Sequence, residues 1–166
     1  FRADDYLVDV EYRVTNNKPG PFVAGMFTQI KRDSQPPSLD ESIPLAPQPF
    51  YGGATTTAEN RYEKVAFDDL EAGPISFTHE GGWMAFLQHY FVSAWVPPSD
   101  EQNRFEVSRS RDGNYLYRII GQAKQLAAGE VGVWQSGFYA GPKDQIRLEE
   151  IAPNLNMTVD YGFLWW

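Results

Sequence analysis

No cysteine occurs among the 166 residues, which excludes a disulfide framework, a thiolate metal site and a cysteine nucleophile. That absence names no compartment, because a cysteine-free chain suits the periplasm as well as the cytoplasm. Histidine is nearly missing too, with His79 and His89 the only two. A metal centre needs three or four ligands at motif spacing, and two isolated imidazoles do not supply them. Basic residues are in deficit, 14 Lys and Arg against 22 Asp and Glu, for a formal net charge of -8. Nucleic-acid binding requires clustered cations and is set aside, as is flat electrostatic adhesion to anionic lipid. No apolar run reaches the roughly 18 residues of a spanning helix, and no stretch of these residues is expected to act as a signal peptide. The chain enters a strand pattern soon after Phe1 and stops inside an apolar run at Trp165-Trp166. The expectation is a segment cut from something longer.

What is present is aromatic and apolar. The composition is 42% hydrophobic and 15% aromatic, at a length that suits one domain with a real core. The organising stretch is Gly81 to Pro98, GGWMAFLQHYFVSAWVPP, which holds two of the five tryptophans between a glycine pair and a proline pair. Two periodicities compete in it. Trp83, Phe86, Leu87, Tyr90, Phe91, Ala94 and Trp95 would make one face of a helix. Its β-branched and aromatic residues equally suit a strand buried on both faces, which reads as a continuous apolar run. The stretch is long for one strand, so two strands, or one bent near Gln88-His89, are expected.

Elsewhere the pattern is one of short strands and turns. Tyr6, Val8, Val10, Tyr12 and Val14 alternate with Asp9, Glu11 and Arg13, as in a half-buried strand. The turn cluster 16–21 and the strand-like run Phe22 to Lys31 predict a hairpin with it. Residues 33–49 carry five prolines, and a loop that crosses an edge is expected of them. Phe50 to Ala54, Arg61 to Phe67 and Ile75 to Glu80 are further short strands, the last two separated by the acidic turn Asp68 to Pro74. Asn103 to Ser110 and Tyr115 to Gln122 pair across Asp112-Gly113, a strong hairpin signal. Val131 to Tyr139 is another strand. The expected class is therefore all-β and mainly antiparallel, a sandwich. Gly141-Pro142 is expected to open a helix. Its Leu148, Ile151, Ala152 and Leu155 share one face, and Pro153 stops it near Ala152.

Candidate chemistry is sparse. His79, Glu80 and His89 could serve as an acid and a base for sugar chemistry, but as strand residues near a turn and a bend they need no such role. Asp68, Asp69 and Glu71, and also Asp4 and Asp5, are turn-like solvated clusters rather than opposed catalytic carboxylates. Gly52-Gly53 and Gly81-Gly82 lack phosphate-loop spacing, and Ser93, Ser108 and Ser136 lack a nucleophile elbow. Trp83, Trp95 and Trp134 are expected in the core. Tyr161, Phe163, Trp165 and Trp166 gather at a chain end, where amphipathic rings suit a membrane interface.

The run from Gly81 through Phe91 to Pro97 resembles a signature stretch of the large periplasmic domain of the YidC membrane protein insertases. So do Arg61-Tyr62-Glu63-Lys64 with Phe67-Asp68, Gly141-Pro142-Lys143, and Ala152-Pro153-Asn154-Leu155 followed by Thr158 to Trp165. These anchors fall in family order across residues 61 to 166. The resemblance implies part of a β-supersandwich of galactose-mutarotase type, with a short C-terminal α-helix and exit segment, on the periplasmic side of the bacterial inner membrane. It divides the chain into a sandwich over 1–140, the C-terminal half of that domain, and a helix and linker over 141–166. It implies a non-catalytic interaction and scaffold role in inserting and folding inner-membrane proteins, without metal or cofactor. Implied partners are nascent membrane proteins, the Sec translocon accessory proteins SecD and SecF, and the membrane interface at the C-terminal end. The interaction and linker residues carried over are Ile146, Leu148, Ile151, Leu155, Tyr161, Phe163, Leu164, Trp165 and Trp166. The insertase groove lies outside this segment, and none of its residues can be carried over. The alternative from fold alone is a carbohydrate-binding or aldose-epimerase-like sandwich using His79, His89 and Glu80.

Overall fold

The computed structural model describes residues 5–35 and 49–159. Its centre is the apolar stretch read above, which forms two antiparallel strands, β7 (Met84–Leu87) and β8 (Phe91–Val96). The turn between them falls at Gln88-His89-Tyr90, closed by the Gln88 N–H donating to the Phe91 carbonyl over 2.9 Å. β7 is buried on both faces. Met84 and Phe86 enter one apolar cluster and Ala85 and Leu87 the other, the alternation a strand imposes.

Ten other strands are described: β1 (Leu7–Thr15), β2 (Phe22–Ala24), β3 (Phe27–Arg32), β4 (Gly52–Thr55), β5 (Glu63–Val65), β6 (Ile75–Glu80), β9 (Gln102–Arg109), β10 (Tyr115–Ile120), β11 (Lys124–Leu126) and β12 (Val131–Pro142). One sheet runs β1-β12-β8-β7-β4-β5, a second β3-β10-β9-β6, and β2 and β11 form a separate ribbon. Every pairing is antiparallel. The all-β, antiparallel sandwich expected from the sequence is what forms. Between the two sheets lie Met84, Phe86, Phe105, Val107, Tyr117 and Ile119, side chains whose burial contributes about 1.5–3 kcal/mol each. Tyr117 packs so close to β4 that a Cβ on Gly53 would sit 2.1 Å from its ring. The chain changes sheets between β6 and β7 at Gly81-Gly82, where φ is 63° and 77°, a region that favours glycine.

The outer face of the large sheet carries a short helix, α1 (Gln145–Ile151). Ala54, Ala85 and Ala94 lie in register across three strands, a flat bed on which Leu148, Ala152 and Leu155 pack with no more than 4% exposure. The helix stops at Ile151, as Pro153 requires.

Two expectations fail. β1 and β2 do not form a hairpin: β1 pairs with β12 and β2 with β11. The turn residue Asn16, 2% exposed, directs its Nδ2 to the carbonyls of Gly20, Leu126 and Ala127 at 2.8–3.1 Å. This carries the chain off the sheet and leaves β1 to the twelve-residue β12. Pro142 does not open the helix either. It ends β12, and the helix begins three residues later behind Asp144, whose carboxylate accepts from the Arg147 N–H at 3.1 Å, an ordinary N-cap. β11 escaped notice because three residues carry no period.

Candidate functional site

Among the described residues, the strand registers leave part of the sandwich interior without a cover. Met84, Trp95, Phe138 and Val8 form one row across the large sheet, on the side that packs against the smaller one. The smaller sheet ends at β3, which meets β8 where the Trp95 indole donates to the Gln29 carbonyl over 3.3 Å. β12 and β1 run on beyond that edge. Past it, among the described residues, the β2–β11 ribbon contributes, with Leu126 and Lys124 against the Trp134 end of β12. Tyr12 therefore stays 57% exposed. A groove of about 380 Å³ lined by Tyr12, Val14, Met26, Phe27 and Trp134 opens beside it. At its floor Trp134 is buried, and its Nε1 has no partner among the described residues.

A second concavity, of about 640 Å³, lies where four connections meet at one end of the sandwich. Thr56 comes from the segment after β4, His79, Glu80 and Gly82 from the end of β6 and its corner, Pro97 from the end of β8, and Pro153 from the turn after α1. Behind it Trp83, fully buried, donates its indole N–H to the Pro153 carbonyl over 3.0 Å.

The candidate acid–base residues are split by this arrangement. His79 and Glu80 line the second concavity, whereas His89 sits in the β7–β8 turn at the opposite end of β7, its ring against Tyr90. Asp69 is occupied locally, accepting from the Ala66 N–H over 2.7 Å. Among the described residues no group of three His, Asp or Glu side chains could hold a metal ion.

The linker residues separate by burial. Leu148 and Leu155 are fully buried, Ile151 is half-buried, and Ile146 is 75% exposed. Tyr161, Phe163, Leu164, Trp165 and Trp166 lie outside the described residues. The helix has a further tie that no sequence pattern announces. Arg147 grips Asp5 in a forked ion pair, Nε to Oδ1 at 3.2 Å and Nη2 to Oδ2, and also reaches Glu150 at 2.9 Å. The guanidinium holds the Asp5 carboxyl below the usual carboxylate range, helped by the Leu7 N–H and opposed by partial desolvation. Burial pushes the Tyr139 hydroxyl up; it donates to the Pro142 carbonyl over 2.7 Å.

The described residues form an antiparallel sandwich with a short helix on its large sheet, and comparison with known proteins places the chain. The family described as the YidC periplasmic domain matches residues 1–166. The chain belongs to the YidC periplasmic-domain family. It is 47% identical over 99% of its length to the membrane protein insertase YidC of Saccharophagus degradans. It is 42% identical over its full length to that of Cellvibrio japonicus and 43% identical over 99% to that of Alcanivorax borkumensis. It spans only 29–30% of these relatives. Membership of the YidC family accounts for the ordered anchors in the sequence. It assigns no task to the groove or to the cleft.

Proposed function

We propose that this chain is the C-terminal half of the periplasmic sandwich of a YidC-type insertase and serves there as a non-catalytic interaction and scaffold domain. Residues 1–140 form the sandwich, and residues 141–166 form the helix and the linker to the next membrane segment. The observation that carries this reading is the uncovered face of β1 and β12. That apolar row, and farther along β1 and β12 a groove with a buried indole N–H at its floor, suit completion by further strands of the parent protein. The parent's place is the bacterial inner membrane, with this domain on the periplasmic side. Its clients are nascent membrane proteins, and SecD and SecF are its partners at the translocon. Tyr161 to Trp166 begin the interfacial passage to the membrane.

The experiment is deletion of residues 1–140 from the parent gene with residues 141–166 retained. Insertion of membrane proteins is expected to continue, with impaired Sec cooperation. Complete loss of insertion would show that the sandwich takes an active part and overturn the scaffold reading. The carbohydrate reading gains nothing from the geometry, because His89 stands apart from His79 and Glu80.

A further inference from the structure

We propose that the sandwich holds one buried water molecule in a small polar chamber behind Trp134, where it joins the two sheets beneath the groove; the assignment goes beyond the scaffold reading and does not depend on it. Two side chains point to it. Trp134 is 5% exposed and Thr28 is 7% exposed, and neither the indole Nε1 nor the hydroxyl Oγ1 has a hydrogen-bond partner among the described residues. They come from different sheets, Trp134 from β12 and Thr28 from β3. Leaving either group unpaired is unfavourable, so two such groups at one place call for a shared partner.

Both residues line a single chamber of about 20 Å³. One water needs roughly 10–15 Å³ of such space and two to four polar partners, so the chamber takes a water and nothing larger. The strand sets the direction of the indole. Gly132, Trp134 and Ser136 share one face of β12. A Cβ on Gly132 would sit 2.5 Å from Trp134 Cη2 and 2.7 Å from its Cζ3. The benzo edge therefore leans toward Gly132, and the Nε1 edge faces Ser136, which lines the chamber with Thr28.

Asn103 supplies a third partner. It is 3% exposed, and its Nδ2 donates to the Glu101 carbonyl over 2.9 Å, which leaves Oδ1 as an acceptor at the chamber wall beside Gly121. The water accepts from the indole N–H, which only donates, gives one hydrogen to Asn103 Oδ1, and bonds to the Thr28 hydroxyl, which takes either role. Met26 and Trp134 line the groove and the chamber alike and form the partition between them. With its N–H satisfied from behind, Trp134 turns an apolar face to the groove, and a segment covering the groove needs no acceptor for it.

The test is a crystal structure of the 166-residue chain at a resolution that shows ordered water, together with nuclear Overhauser transfer from water to the indole N–H groups in solution. One density peak is expected within hydrogen-bonding distance of Trp134 Nε1 and Thr28 Oγ1. Transfer from a long-lived water is expected at Trp134 but not at Trp83 or Trp95, whose N–H groups donate to the Pro153 and Gln29 carbonyls. Thr28→Val removes one partner and should lower occupancy about fivefold, the loss of one neutral hydrogen bond. Thr28→Ser keeps the hydroxyl and should keep the water. A chamber without density and without transfer at Trp134 would overturn the proposal. So would a direct bond between Nε1 and the Thr28 hydroxyl, or a water signal that Thr28→Val leaves unchanged.

Discussion

Replacing Leu148 with alanine tests whether α1 is part of the sandwich or a detachable connector. Leu148 is fully buried, seated with Ala152 and Leu155 over the alanine row of the large sheet. Truncation removes its apolar contacts and leaves a cavity between a helix and a rigid sheet, a change that typically costs about 2–5 kcal/mol. The bed of Ala54, Ala85 and Ala94 consists of methyl groups on strand backbone, which cannot lean in to fill the gap, so a value in the upper half of that range is expected. For a domain of this size each kcal/mol moves the melting temperature by about 2–4 °C, which makes the drop about 7–20 °C. Thermal unfolding should be followed by far-ultraviolet circular dichroism, which sees backbone, and near-ultraviolet circular dichroism, which sees the tryptophans. Both signals should fall together at the lower temperature, because Trp83 is bonded to Pro153 just beyond the helix. If helical signal were lost early while the tryptophan transition kept its wild-type midpoint, α1 would be a separate unit and the packing argument would fail.

Two further perturbations test other parts of the fold. Gly53→Ala drives a methyl to 2.1 Å from the Tyr117 ring between two paired strands, and overpacking of this kind costs about 1–3 kcal/mol or more. A chemical-denaturation midpoint no lower than wild type would contradict it. The Asp5–Arg147 pair predicts an acid limb in stability. Since Arg147 holds the Asp5 carboxyl down in the folded state, its stabilisation is complete above the ordinary Asp value of about 3.9. It is lost as pH falls through the lower folded value. Asp5→Asn should flatten that part of the pH–stability curve, and an unchanged acid limb would remove the pair from the account.

Much of the architecture was legible in the residues. Gly81-Gly82 and Pro97-Pro98 marked the limits of the central stretch; its apolar residues suited a helix face as well as two buried strands, and pairing with β4 and β12 decided for the strands. Asp112-Gly113 marked the β9–β10 hairpin, since its geometry is local. Of the helix face expected at Leu148, Ile151, Ala152 and Leu155, Leu148 packs from α1 itself, Ile151 is half-buried, and Leu155 reaches the sheet from the turn beyond Pro153. Local signals stop short of partnership. The turn at 16–21 looked like a hairpin turn, yet β1 goes to β12 across more than a hundred residues, because Asn16 ties the turn to Leu126 and Ala127 instead. Pro142 was expected to open the helix, yet its register with Phe91 makes it the last residue of β12.

The candidate sites divide in the same way. Sequence order alone determined the class of protein, an all-β segment of the YidC periplasmic family, because anchor motifs and strand periods are properties of neighbours along the chain. Tertiary structure alone decided that, among the described residues, the alternating face of β1 lacks a covering sheet, that His79 shares a cleft with Thr56 and Gly82 while His89 does not, and that Asp5 clasps Arg147. Those are contacts between residues far apart in sequence. They depend on where each sheet ends, and no local pattern of residues encodes that.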